Sequence, residues 1–128
     1  KRNELITAFK EIIHKRKSET YPFWNLKQQH GGLLDCSIAL YILEKLGKNY
    51  PALINRLNKI HRRFDNIIQQ LSTRLISYNH DKLPEQVIHF TAVQLNYETA
   101  KQLKKQICVD LQLVTKILTI LFDNKINK

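Results

Sequence analysis

Residues able to do acid–base, nucleophilic or metal chemistry are scattered through this 128-residue chain. The histidines, His14, His30, His61, His80 and His89, show no close pair at ligand spacing, and Cys36 and Cys108 are far apart in sequence. There is no Gly-rich phosphate loop, no nucleophile elbow and no paired zinc-finger cysteines. No metal and no cofactor is therefore expected. Asp35 and Asp110 lie among apolar residues, where each is expected to sit at a helix boundary. Chemistry of another kind is suggested by the charge: 21 Lys and Arg against 11 Asp and Glu, a net charge of +10. With 100° per residue on a helix, Arg56, Lys59, Arg63 and Arg74 fall within about 60° of one another, and Arg62 lies just outside that arc. Asn66 and Gln70 are interleaved with them, and only Asp65 offsets five positive residues. Such a face bridges phosphates along a nucleic-acid backbone, or else is simply solvated. Lys15, Arg16 and Lys17 make a second basic cluster, which also suits the negative end of a helix dipole.

A second arrangement pairs arginine with histidine. Tyr50-Pro51 is followed by Arg56-Leu57-Asn58-Lys59-Ile60-His61, and Arg74 is followed by His80-Asp81. Each resembles the Arg-x4-6-His motif of HEPN-type RNases, small helical proteins that often dimerise. The resemblance implies that arginine steadies the phosphate while histidine assists proton transfer. The residue after each arginine, usually polar in that motif, is Leu57 or Leu75 here. Residues five apart on one helix also point about 140° away from each other. Near the C-terminus, Leu113-Val114 followed by Leu118-Thr119 is similar to a stretch of a protein family encoded by integrating conjugative elements.

The elements that position these residues are helices. From Pro51 to Asn79, Leu53, Leu57, Ile60, Phe64, Ile67, Leu71, Leu75 and Tyr78 recur every three or four residues, the period of one helix face. Leu5, Ile6, Phe9, Ile12 and Ile13 place another helix over about 3–17, with Asn3 as its cap. A third, over about 33–46, is apolar nearly all round and ends at Gly47, which predicts burial on more than one side. The last runs over about 97–122, capped by Asn96, with Ala100, Leu103, Ile107, Leu111, Val114, Leu118 and Leu121 in its main stripe. Val109, Leu113, Ile117 and Ile120 form a second stripe, expected to be covered by residues 87–97 or by a second copy of the chain in a homodimer. Between these helices, residues 80–96 read as a connector that is either extended or a short helix near Pro84–Phe90. Residues 18–32 read as irregular, with Tyr21, Phe23 and Trp24 plugging the end of a bundle rather than stacking on bases. Gly31-Gly32 either turns the chain or permits a close helix contact.

Apolar residues are 43% and charged residues 25%, with three Gly and three Pro, which excludes a disordered chain and argues against a turn-rich β-sandwich. The length suits one domain, residues 1–128, with a real core. No run approaches the roughly 20 apolar residues of a membrane span. Both cysteines sit in apolar helical stretches and are expected as buried free thiols. The chain begins at Lys1 and contains no Met, as a processed product or a piece of a longer protein would; a cytoplasmic location is the expectation. The sequence thus predicts an all-α, four-helix-bundle-like domain. It reads as a basic, non-enzymatic accessory domain that binds nucleic acid, DNA or RNA, or a nucleoprotein complex. The rival readings are a HEPN-like RNase and a protein–protein interaction module with no nucleic-acid role, whose positive charge serves only solubility or an acidic partner.

Overall fold

Apolar residues at helical spacing build five helices in the computed structural model, which describes residues 2–45, 50–73 and 82–123. They are α1 (Arg2–Lys17), α2 (Leu33–Lys45), α3 (Pro51–Thr73), α4 (Glu85–Gln94) and α5 (Ala100–Phe122). The architecture is all-helical, as the periodicity predicts, and no strand occurs among the described residues. In α3 the stripe Leu57, Ile60, Phe64, Ile67 and Leu71 is buried, and Leu53 is half-buried against it. Helix α2 is the hub: it packs on α1, α3 and α5. Its Cys36, Ala39, Ile42 and Leu43 are all buried, so a helix apolar on most sides finds a partner on most sides. Helix α1 buries Ile6 and Ile13 and turns Ile12 to solvent. It meets α2 through an edge-to-face contact of Phe9 with Tyr41, ring centroids 5.6 Å apart.

Several local expectations change. Helix α1 already includes Arg2, so Asn3 lies inside its first turn rather than capping it. Of the two readings of the connector, the short helix is the one observed, and it runs on past Phe90 to Gln94. Val87, Ile88, Thr91, Ala92 and Leu95 follow a helical stripe that the partial alternation of Val93, Leu95 and Tyr97 obscures, and burial of Ile88, Thr91 and Ala92 selects it. Asn96 closes α4 rather than opening α5. Its φ is 68°, its N–H donates to Val93 O (3.1 Å), and Tyr97 N–H donates to Ala92 O (2.8 Å). That is the Schellman pattern, with Asn96 in the left-handed position often given to glycine. Helix α5 is capped instead by Thr99, whose hydroxyl accepts from Gln102 N–H at 3.1 Å. Gly47, Arg74, Leu75, Tyr78, Asn79, His80 and Asp81 lie outside the described residues.

The segment between α1 and α2 has no regular structure but is tightly bonded. Trp24 is 1% exposed, and Leu26 and Asn25 are buried beside it. Phe23 meets the Trp24 ring edge-to-face at 5.1 Å, so the aromatic cluster serves packing. The Asn25 side chain accepts from Gln28 N–H and donates to Gln28 Oε1. The Gln29 amide donates to the carbonyls of Tyr21 and Pro22. Gly31 has φ 81°, and a Cβ there would strike the carbonyl oxygen of Leu111 on α5. The glycine thus does both things expected of it, turning the chain and allowing the loop to touch a helix.

The second stripe of α5 is split. Ile117 is buried and Leu113 half-buried, whereas Val109 and Ile120 are exposed, and α4 packs along the same helix. The thiols differ likewise. Cys36 is buried and donates to Leu57 O at 3.3 Å, but Cys108 is exposed, because its position on α5 faces away from the core.

Burial, with the carboxylates of Asp110 and Asp35 nearby, pushes the Cys36 thiol up to about 12 from 9.0. An acid with a raised folded-state value favours folding below the unfolded value and ceases to do so as pH climbs through the folded one. The stability difference between wild type and Cys36→Ala should therefore shrink from about pH 9 to pH 12, by up to about 1.4 kcal/mol per pH unit. Urea melts at successive pH values would measure it. A thiol reagent at pH 8 should label Cys108 quickly and Cys36 only on unfolding.

Candidate nucleic-acid interface

The five cations singled out on α3 divide by what surrounds them. Arg63 is turned into the protein. Its Nε donates to Asp110 Oδ2 and its Nη2 to Asp110 Oδ1, both at 2.8 Å, a bidentate pair across α3 and α5. Asp110 also accepts from Gln106 Nε2 at 3.0 Å. The carboxylate is 3% exposed and the guanidinium side chain 35%. The Asp110 hydrogen bonds raise the Arg63 value further above its ordinary one. Tyr97 stands within electrostatic reach, and burial raises its phenol. Arg56, Lys59 and Arg62, by contrast, are exposed, and among the described residues no carboxylate pairs with them. Asp65, the one acid on this helix, accepts from Gln69 Nε2 instead. Arg74 lies outside the described residues.

The α1 cluster divides in the same way. Arg16 bonds Asp35 and the carbonyl of Gln28, and its guanidinium lies over the Tyr21 ring, 5.8 Å from the centroid. Asp35, 4% exposed, uses its other oxygen to accept from Gly31 N–H at 2.7 Å. Lys15 and Lys17 remain exposed. Two buried acids thus take one arginine from each basic cluster. Asp35 does stand in the first turn of its helix, but Asp110 lies in the middle of α5. The signal for its partner was its register: Asp110 stands between Ile107 and Val114 on the buried face, where an ionised carboxylate needs a cation.

Histidine is placed away from the arginine it was paired with in sequence. His61 Nε2 lies 3.0 Å from Ser37 Oγ on α2, and that hydroxyl also donates to Leu33 O. Arg56 faces solvent on the same helix. The pair Arg74 and His80 lies outside the described residues. Among the described residues no group of three or more His, Cys, Asp or Glu is disposed to hold a metal ion. No described helix is long and apolar enough to cross a membrane. Comparison of the chain with family models, curated proteins and solved structures finds no match.

Removing Arg63 would leave a buried carboxylate with a single side-chain donor. Arg63→Ala should cost about 2–4 kcal/mol, below the range for a fully buried pair because solvent reaches the guanidinium. Arg63→Met/Asp110→Leu should recover most of that loss. Arg56→Ala should stay within about 0.5 kcal/mol of wild type. Chemical denaturation of the three variants checks the division between structural and available arginines.

Proposed function

We propose that this protein is a non-enzymatic, nucleic-acid-binding accessory domain that grips backbone phosphates through Arg56, Lys59 and Arg62 on α3, helped by Lys15 and Lys17 on α1. The observation that carries the reading is the contrast on α3. Arg63 is taken by Asp110, whereas Arg56, Lys59 and Arg62 lie exposed over two turns and form no ion pair with a described carboxylate. Three such cations on a rigid helix meet successive phosphates without ordering a loop, and the net charge of +10 adds long-range attraction. Contacts of this kind position a protein on a duplex or strand without reading bases. Of the two arginine–histidine matches, the first gives no support to RNA cleavage, because His61 is directed to Ser37 on α2 while Arg56 faces solvent. A homodimer through α5 would have Val109 and Ile120 as its apolar contacts, since Ile117 is already buried within the chain.

The test is a binding titration with duplex DNA, single-stranded DNA and RNA over a range of salt. Affinity should fall steeply with salt and vary little with sequence. Arg56→Ala/Lys59→Ala/Arg62→Ala should reduce the logarithmic salt slope by about 2–3 while the melting temperature stays unchanged. No binding at low salt would remove the proposal, and binding confined to an acidic protein would replace it with an interaction module.

A further inference from the structure

A cleft of about 190 Å³ opens between α1, the loop and α5, lined by Lys10, His14, Lys17, His30, Thr115 and Thr119, among others. Its two walls differ in chemistry. Lys10, His14 and Lys17 recur at positions i, i+4 and i+7 of α1, so one helix face carries three nitrogen donors side by side, although Lys10 Nζ already gives one hydrogen to Phe122 O at 3.4 Å. The other wall is α5. There the hydroxyl hydrogens of Thr115 and Thr119 are already given to the carbonyls of Leu111 and Thr115, each at 2.9 Å. Thr115 Oγ1 lies against Gly31, where a Cβ would meet it at 2.6 Å, so Thr119 is the hydroxyl left to serve a ligand, as an acceptor only. Asp123 also lines the cleft. Asp35 also borders the cleft, but Arg16 and Gly31 N–H already match its charge. Between the walls Ile13, Leu118 and Phe122 supply apolar surface.

One wall that donates and carries positive charge, opposite one that accepts, fits a molecule with an anion at one end and hydroxyls at the other. We propose that this cleft binds a phosphorylated sugar, with the phosphate against Lys10, His14 and Lys17 and a sugar hydroxyl donating to Thr119. The volume falls below the roughly 300–1,000 Å³ of pockets for drug-sized ligands, so it takes one sugar phosphate rather than a dinucleotide. The imidazole of His30 also borders the cleft and is held by contacts outside it. Its Nε2 bonds the carbonyl of Glu19 at 3.1 Å, and its ring meets Tyr21 edge-to-face at 5.5 Å. The same chemistry is found in a free sugar phosphate and at the 5′-phosphorylated end of an RNA strand. This site is separate from the α3 cations and shares only Lys17 with the surface proposed to grip nucleic acid.

Calorimetry of the intact protein at low salt, with ribose 5-phosphate, inorganic phosphate and ribose as probes, tests the proposal. Ribose 5-phosphate should bind at least tenfold more tightly than inorganic phosphate, and ribose should give no heat. Lys17→Ala should weaken both phosphate-bearing probes about tenfold. Thr119→Val should weaken ribose 5-phosphate and leave inorganic phosphate unchanged. In amide spectra of the wild-type protein, shifts with ribose 5-phosphate should be confined to residues 10–17, 30 and 115–123. The absence of binding at millimolar probe, or shifts centred elsewhere, would overturn the site. Competition by 5′-phosphorylated but not 5′-hydroxyl oligoribonucleotides would assign the source as an RNA end, and competition by neither would assign a free metabolite. Arg56→Ala/Lys59→Ala/Arg62→Ala should leave ribose 5-phosphate binding intact, which separates failure here from failure of the nucleic-acid reading.

Discussion

A carboxylate buried at Asp35 has to be matched by donors, and the way it is matched holds the first third of the chain together. One oxygen takes the Arg16 guanidinium from the end of α1, and the other takes the Gly31 N–H just before α2. Arg16 in turn bonds the carbonyl of Gln28. One acid therefore sets the last turn of α1, the return of the loop and the first turn of α2 against each other. Removing either partner would leave an uncompensated charge in a place solvent hardly reaches, which is costlier than losing a surface ion pair. The loop held in this way carries Trp24 and Leu26 into the core and brings Gly31 against the backbone of α5.

The same rule operates at Asp110, and together the two acids divide the basic residues into two populations. Arg16 and Arg63 are fastened to carboxylates, while Arg56, Lys59, Arg62, Lys15 and Lys17 face solvent. Net charge alone does not make that distinction. It is what separates a cation that maintains the fold from one able to exchange its water for a phosphate.

Elements were legible in the sequence where apolar spacing was long and uninterrupted. The α3 stripe from Leu57 to Leu71 is buried as read, and α2, apolar on most sides, is packed on three neighbours. Legibility failed where two periods overlap or where one residue type serves two kinds of helix end. In residues 87–97 a weak alternation left an extended segment and a short helix both open, and contact with α3 and α5 selects the helix. Asn96 is a good residue for starting a helix and for ending one, and the left-handed conformation that decides between them is not written in composition. Arg63 belongs to the α3 charge stripe by angle, and its engagement depends on an acid 47 positions away. Cys108 was read from its apolar neighbours, but its own angle on α5 turns it outward.

Contacts made by α5 also bear on the order in which the chain can assemble. This helix supplies the partner for Arg63 and the surface on which Gly31 rests, and Phe122 O accepts from Lys10 across 112 positions. Until it arrives, α2 has one side uncovered and α3 holds a cation without its carboxylate. During synthesis from the N-terminus, helices α1 to α4 therefore emerge as an incomplete set, exposing apolar surface that only the fifth helix covers. Cooperative closure must await almost the whole described chain, so the interval before α5 leaves the ribosome is when this domain is most open to holdase chaperones and to aggregation.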